Sequence, residues 1–92
     1  MIDGIKHKGL RLLYEKNDRS KLPADSWERI KTILSALDAA DSLDDMRQPS
    51  FRLHGLAGEY EGFWSVTVRA NWRIIFRFEG NNAFDLDYID YH

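Results

Sequence analysis

Apolar residues recur in this chain with two different periods, and the change falls at Pro49. Before it, Trp27, Ile30, Ile33, Leu34 and Leu37 step by three, three, one and three, which lays one apolar stripe along a helix. After it the spacing drops to two. Residues 63–69 and 72–79 read as the arms of a tight hairpin turning near Ala70 and Asn71. Helical and extended periods bury different sets of side chains, so each half of the chain is committed to its own kind of element. The pattern predicts an α+β domain, with two helices followed by a hairpin-rich sheet. The helical stripe has one natural place to bury itself, against a face of that sheet.

Further elements fill in around this frame. Residues 2–5 read as a short strand weakened by Gly4, and residues 6–16 as a helix in which Leu10, Leu13 and Tyr14 keep the helical spacing. The second helix is expected to open over residues 22–27, with Pro23 near its first turn, and to fade around Ala39. Leu43 and Met46 predict one further short turn. Phe51 and Leu53 are expected to begin a strand, followed by a loop punctuated by Gly55, Gly58 and Gly62, and residues 83–91 form the last strand. No repeat or linker divides the chain, so residues 1–92 are read as a single domain.

With 43 % hydrophobic residues, including three Trp, four Tyr and five Phe, a chain of this size can build a core. Cysteine is absent, which excludes disulfides and thiolate metal sites. The first residues lack the apolar stretch of a secretory signal, and no run approaches the ~20 apolar residues of a membrane span. A cytoplasmic protein without membrane contact is expected. The net charge of −2 does not supply a general field for nucleic acid. Charge is nevertheless patterned: residues 1–31 hold eight Lys and Arg against five Asp and Glu, while residues 38–45 carry four acids and no base.

Candidate chemistry gathers in the second half. Asp90, Tyr91 and His92 place an acid, a phenol and an imidazole after a strand that alternates up to its last residues. Histidine is the side chain whose ordinary titration lies near neutrality, and alternation puts Asp90 on the same face as His92, with Tyr91 opposite. By spacing alone, a solvated polar tail explains these residues at least as well. Arg69, Arg73 and Arg77 lie on the hairpin arms, and a guanidinium suits a pentacoordinate phosphorus because its planar donors meet two oxygens at once. Arg73 and Arg77 share parity. A two-residue loop turns Arg69 away from Arg73, a three-residue loop pairs them, and the sequence does not choose. His54 stands before the glycine loop, within reach of a phosphate or base or in a purely structural place. His7 reads as solvated. Trp64 and Trp72 are able to stack bases, although their apolar strands favour packing for at least one of them. No phosphate-binding glycine loop, nucleophile elbow or zinc spacing occurs, so neither a metal nor another cofactor is expected.

Leu53-His54, Leu56 and Gly58, then Gly62-Phe63-Trp64-Ser65-Val66-Thr67-Val68-Arg69-Ala70-Asn71-Trp72-Arg73-Ile74 and the ending Asp90-Tyr91-His92 together resemble the HigB toxins, the plasmid-maintenance killer-protein branch of the RelE/ParE superfamily. The resemblance extends over the whole chain. It implies a compact microbial-RNase-type fold, with two N-terminal helices on a mostly antiparallel sheet. It also implies a toxin of a type II toxin–antitoxin system that cleaves mRNA in the ribosomal decoding site. The chemistry is metal-independent: the ribose 2′-hydroxyl attacks the adjacent phosphate and leaves a cyclic 2′,3′-phosphate and a 5′-hydroxyl. The implied partner is a helix-turn-helix antitoxin, through which alone the toxin reaches operator DNA. Carried over by position, Arg73 stabilises the phosphorane, while Asp90, Tyr91 and His92 share proton transfer, with the general base among them left open. Arg69, His54 and Arg77 are the RNA-binding candidates. One departure stands out: where such toxins carry a lysine between Leu and Gly, this chain has Ala57. Losing a charged phosphate contact costs about 1.5–3 kcal/mol, or one to two orders of magnitude in rate or affinity. A weaker toxin, or one relying on a different basic residue, is therefore expected. A non-enzymatic module for antitoxin binding and autoregulation, or a gyrase poison of the ParE kind, are the alternatives.

Overall fold

In the computed structural model, which describes residues 1–92, helices α1 (Lys8–Lys16) and α2 (Trp27–Ala39) lie against one face of a four-stranded sheet. The strands are β1 (His54–Gly55), β2 (Trp64–Arg69), β3 (Trp72–Glu79) and β4 (Asn82–Asp90), antiparallel throughout and ordered as in sequence. The α+β class and both helices are as the periodicity predicts.

The apolar stripe of α2 is buried through Ile30, Ile33, Leu34 and Leu37. It meets Val66, Val68, Ile74, Phe76, Leu86 and Tyr88 from the sheet, together with Leu10 and Leu13 from α1. Each such side chain contributes roughly 1.5–3 kcal/mol by leaving water, which is what keeps so short a helix folded. Regular helix begins only at Trp27. Pro23 opens a turn ahead of it, its carbonyl accepting from the N–H groups of Ser26 and Trp27 at 3.1 Å each.

Helix α1 begins two residues later than expected because His7 caps it: the Leu10 N–H donates to His7 Nδ1 at 3.3 Å. The ring is half-buried, edge-on to Tyr88 at 5.6 Å, and so corrects the expectation that His7 is solvated. The helix closes on Asn17, whose left-handed backbone (φ 54°) suits a small polar residue.

Two expected strands shrink. Pro49 starts a single 3₁₀ turn through Phe51, and Arg52 then adopts φ 51°, so the strand expected from Phe51 is reduced to His54 and Gly55. Phe51 is buried in the main core from this turn, with Leu53 packed against the same core. Near the start of the chain, Ile2 and Ile5 make separate parallel bridges to Ala83 and Leu86 rather than a continuous strand. The interruption faces a bulge in β4, where Asp85 has φ 55°. No helix is long and apolar enough to cross a membrane.

Candidate active site

The sheet face turned away from the helices carries the site. Cross-strand partners share a face, and the register runs His54 to Ser65, Thr67 to Arg73, Ser65 to Ile75 and Arg73 to Ile89. A second, smaller core of Leu56, Phe63 and Ile75 sits here under the glycine loop, with Tyr60, Ile89 and Tyr91 packed around it. Gly62 lets that loop close: it has φ 90°, and a Cβ there would meet Arg77 Nη1 at 2.9 Å. Arg77 accordingly lies flat over the Phe63 ring, 4.4 Å from its centroid, with Asp85 3.6 Å from its Nε.

Arg73 is half-buried at the end of the same face. Its Nη1 donates to Thr67 Oγ1 at 2.6 Å and to the Ala70 carbonyl at 3.4 Å. Its Nε is enclosed without a partner, as is the neighbouring Ser65 hydroxyl on the adjacent strand. Both contacts of the guanidinium to protein use Nη1, which leaves Nη2 for an anion.

The residues after β4 close in on the hairpin turn. The Tyr91 N–H donates to the Asn71 carbonyl at 2.8 Å, extending the ladder one step. Its ring packs edge-on to Tyr60 at 6.0 Å, on the Arg73 face. Asp90, the cross-strand partner of Trp72, projects to the other side. His92 Nδ1 lies 3.0 Å from Asn71 Nδ2 and 3.5 Å from Asp90 Oδ1. One ring nitrogen cannot accept from the amide and donate to the carboxylate together. Nδ1 without a proton accepts from the Asn71 amide, and Nδ1 with a proton donates to Asp90. The turn joins both groups, since Ala70 holds Arg73 and Asn71 holds His92.

The hairpin has a two-residue loop. Thr67 faces Arg73 while Arg69 faces Trp72, because β2 carries one extra residue, Val68, between them. Arg69 thus lies on the helix side of the sheet, paired with Asp25, and away from Arg73. Trp72 shares that side, 40 % exposed and stacked on Tyr88 at 4.8 Å, while Trp64 packs against the main core. Burial raises the Tyr88 phenol above its ordinary value of 10.0, against a smaller lowering from its hydrogen bond to Ser26, so Tyr88 remains neutral. His54 is exposed on the Arg73 face, its Nδ1 directed at the Arg52 carbonyl at 3.0 Å. A carbonyl only accepts, so the neutral ring keeps its proton on Nδ1 and presents a free Nε2. Ala57 is exposed at the head of the 3₁₀ turn Gly58–Tyr60. No group of three or more His, Asp or Glu side chains converges as a metal-ligand set.

Thr67 and Asn71 belong to this arrangement and were not singled out from the sequence. Their signal was available only as parity: Thr67 alternates with the buried Val66 and Val68, and Asn71 occupies the turn.

A family profile described as the RelE-like toxin of type II toxin–antitoxin system HigB matches residues 3–92. Endoribonuclease HigB of Proteus vulgaris is 48 % identical over 92 residues, covering 100 % of both chains. Toxin HigB-1 of Vibrio cholerae is 34 % identical over 90 residues, 96 % of this chain and 94 % of the other. The fold resembles that of YafQ from E. coli strain BL21(DE3), with a TM-score of 0.64, 13 % identity, and coverage of 96 % of this chain and 89 % of that one. The profile match and the full-length relatives show that the chain belongs to the HigB family of RelE-like toxins of type II toxin–antitoxin systems.

Proposed function

We propose that this toxin is a ribosome-dependent endoribonuclease, cutting mRNA in the decoding site of the cytoplasmic ribosome until its antitoxin partner neutralises it. The observation that carries this is the hairpin end, where the Ala70–Asn71 turn links a half-buried guanidinium with one free edge to a chain end that carries a phenol on the same face, an imidazole held at Asn71, and a carboxylate on the opposite face. These are the parts that in-line attack by a ribose hydroxyl needs. The 2′-oxygen forms a bond to phosphorus as the bond to the 5′-oxygen breaks. The 2′-proton passes to a base in the Asp90, Tyr91 and His92 group, and the 5′-oxygen takes up a proton from an acid of the same group. Nη2 of Arg73 meets the non-bridging oxygens, whose charge grows in the phosphorane. The chemistry needs no metal. His54 and Arg77, on the same face, fit contacts to flanking phosphates or bases; Arg69, turned to the helices and paired with Asp25, is left to a contact outside the cleavage surface. The antitoxin is of the helix-turn-helix type, and operator DNA is reached through it.

Primer extension on a translated message after induction tests this. Breaks positioned by codon, lost in Arg73→Ala, are expected. Growth arrest without RNA breaks, or with DNA damage instead, overturns it.

A further inference from the structure

The orientation of Arg73 traces back to α2. At the β2 bulge, Val68 has no partner on β3, and the carbonyls of Thr67 and Val68 both turn toward the helix. Arg29 reaches across to them: Nε donates to Val68 O at 3.2 Å and Nη2 to Thr67 O at 3.1 Å, and Nη2 also meets the Ser50 carbonyl. Its guanidinium lies 5.6 Å above the Phe51 ring. A planar fork is thus spread over three carbonyls on two separate segments, which a lysine's single ammonium cannot reproduce. Arg29 thereby fixes the one extra residue in β2. Register sets parity: with the bulge where it is, Thr67 stands opposite Arg73 and its hydroxyl receives Nη1 at 2.6 Å, while a shift by one residue would turn Thr67 to the helix side. Thr67 in turn holds Nη1, so that Nη2 is the nitrogen presented outward.

We propose that Arg29 and Thr67 are positioning residues for cleavage, acting in series through the β2 bulge to aim the Arg73 guanidinium without touching RNA. This rests on the assignment of Arg73 as the phosphorane-stabilising group. It is separate from it, because Arg73 can act on phosphate whether or not its rotamer is held from behind. A displacement near 1 Å in a catalytic group slows a reaction by about 100-fold, so loss of the Thr67 hydroxyl is expected to slow cleavage by about 10- to 100-fold.

Single-turnover cleavage of a short message on programmed ribosomes, followed against toxin concentration, separates the maximal rate from half-saturation. Thr67→Val keeps a β-branched side chain of nearly the same shape and lowers the maximal rate while half-saturation stays the same. Thr67→Ser, which retains the hydroxyl, restores the rate to within about threefold of the parent protein, a small remainder on the scale of one hydrogen bond. Arg29→Lys lowers the maximal rate in the same way. In an Arg73→Ala background, Thr67→Val has no further effect, which a general loss of folding would not reproduce. A Thr67→Val protein within twofold of the parent rate, or one slowed equally with and without Arg73, overturns the positioning role alone. A parent protein that cleaves nothing overturns the nuclease function, an Arg73→Ala protein that cuts as fast as the parent overturns the assignment of Arg73, and either result takes this proposal with it.

Discussion

Under the proposed function, Arg73 at the hairpin end does two things with one planar group: it anchors on Thr67 through Nη1 and offers Nη2 to phosphate. Arg73→Ala is expected to slow cleavage by about 10²–10³-fold, the effect of removing one donor to developing charge. Arg73→Lys is expected to recover little, since an ammonium cannot keep both geometries. Thermal unfolding of each variant, alongside the cleavage assay, separates this from loss of structure. Ala57 makes the opposite prediction. It is exposed at the head of the turn that packs Tyr60 against Tyr91, so a lysine there meets solvent and not the core. The neighbouring Glu59 and Glu61 add negative charge to the loop. Ala57→Lys is expected to raise cleavage by about 10-fold or more, the reverse of losing one charged phosphate contact. An unchanged rate in the ribosome assay would show that another cation already fills that role.

At the scale of elements, the junctions carry the sharpest demands. Asp38 on α2 accepts from the Tyr14 hydroxyl at 2.8 Å and from the Ile2 N–H at 3.2 Å, tying α1 and the first residues to α2. That hydrogen bond, followed by burial and by the Asp38 charge, holds the Tyr14 phenol above its ordinary value of 10.0. A folded-state value raised above the unfolded one means that the contribution is complete below about pH 10 and is lost as pH rises through the folded value. Tyr14→Phe should therefore lower stability at neutral pH, with the gap to the parent closing in alkaline solution; denaturant titrations at pH 7 and above pH 10 measure it. In β4, Asp85 holds φ 55° and faces Arg77 at 3.6 Å. A β-branched residue there is strained, so Asp85→Val is expected to cost about 1–3 kcal/mol in denaturant titrations, whereas Asp85→Gly removes the strain but not the lost ion pair.

For the molecule as a whole, a chain of this length is stable by roughly 5–14 kcal/mol, a narrow margin for a fold whose site depends on register. Leu37 is fully buried where the stripe of α2 meets the main core. Leu37→Ala is expected to cost about 2–5 kcal/mol and to lower Tm by about 10 °C or more, read by calorimetry. The two cores divide the labour. The larger one fixes α2, and with it Arg29, against the sheet, while the smaller one under the glycine loop sets Tyr60 and Tyr91 around the cleavage face.

Periodicity alone was enough to specify two helices, a hairpin and the burial of the helical stripe against a face of the sheet, because the spacing of apolar residues is written residue by residue in the chain. The Asp90, Tyr91 and His92 ending and the hairpin arginines were legible as residue types. Which of them share a surface was not. That turned on the two-residue loop, which sets Arg69 opposite Trp72 and away from Arg73, and on one unpaired residue in β2, which sets Thr67 opposite Arg73; alternation cannot locate such a bulge. Arg29 has no signature in the sequence, since its strand partners are backbone carbonyls 38 and 39 residues away and leave no mark on neighbouring positions. His7 likewise became a cap only once Tyr88 was packed beside it. Local spacing dictated the elements; the register between strands and the long reach of a few side chains, decided only when the core closed, dictated the site.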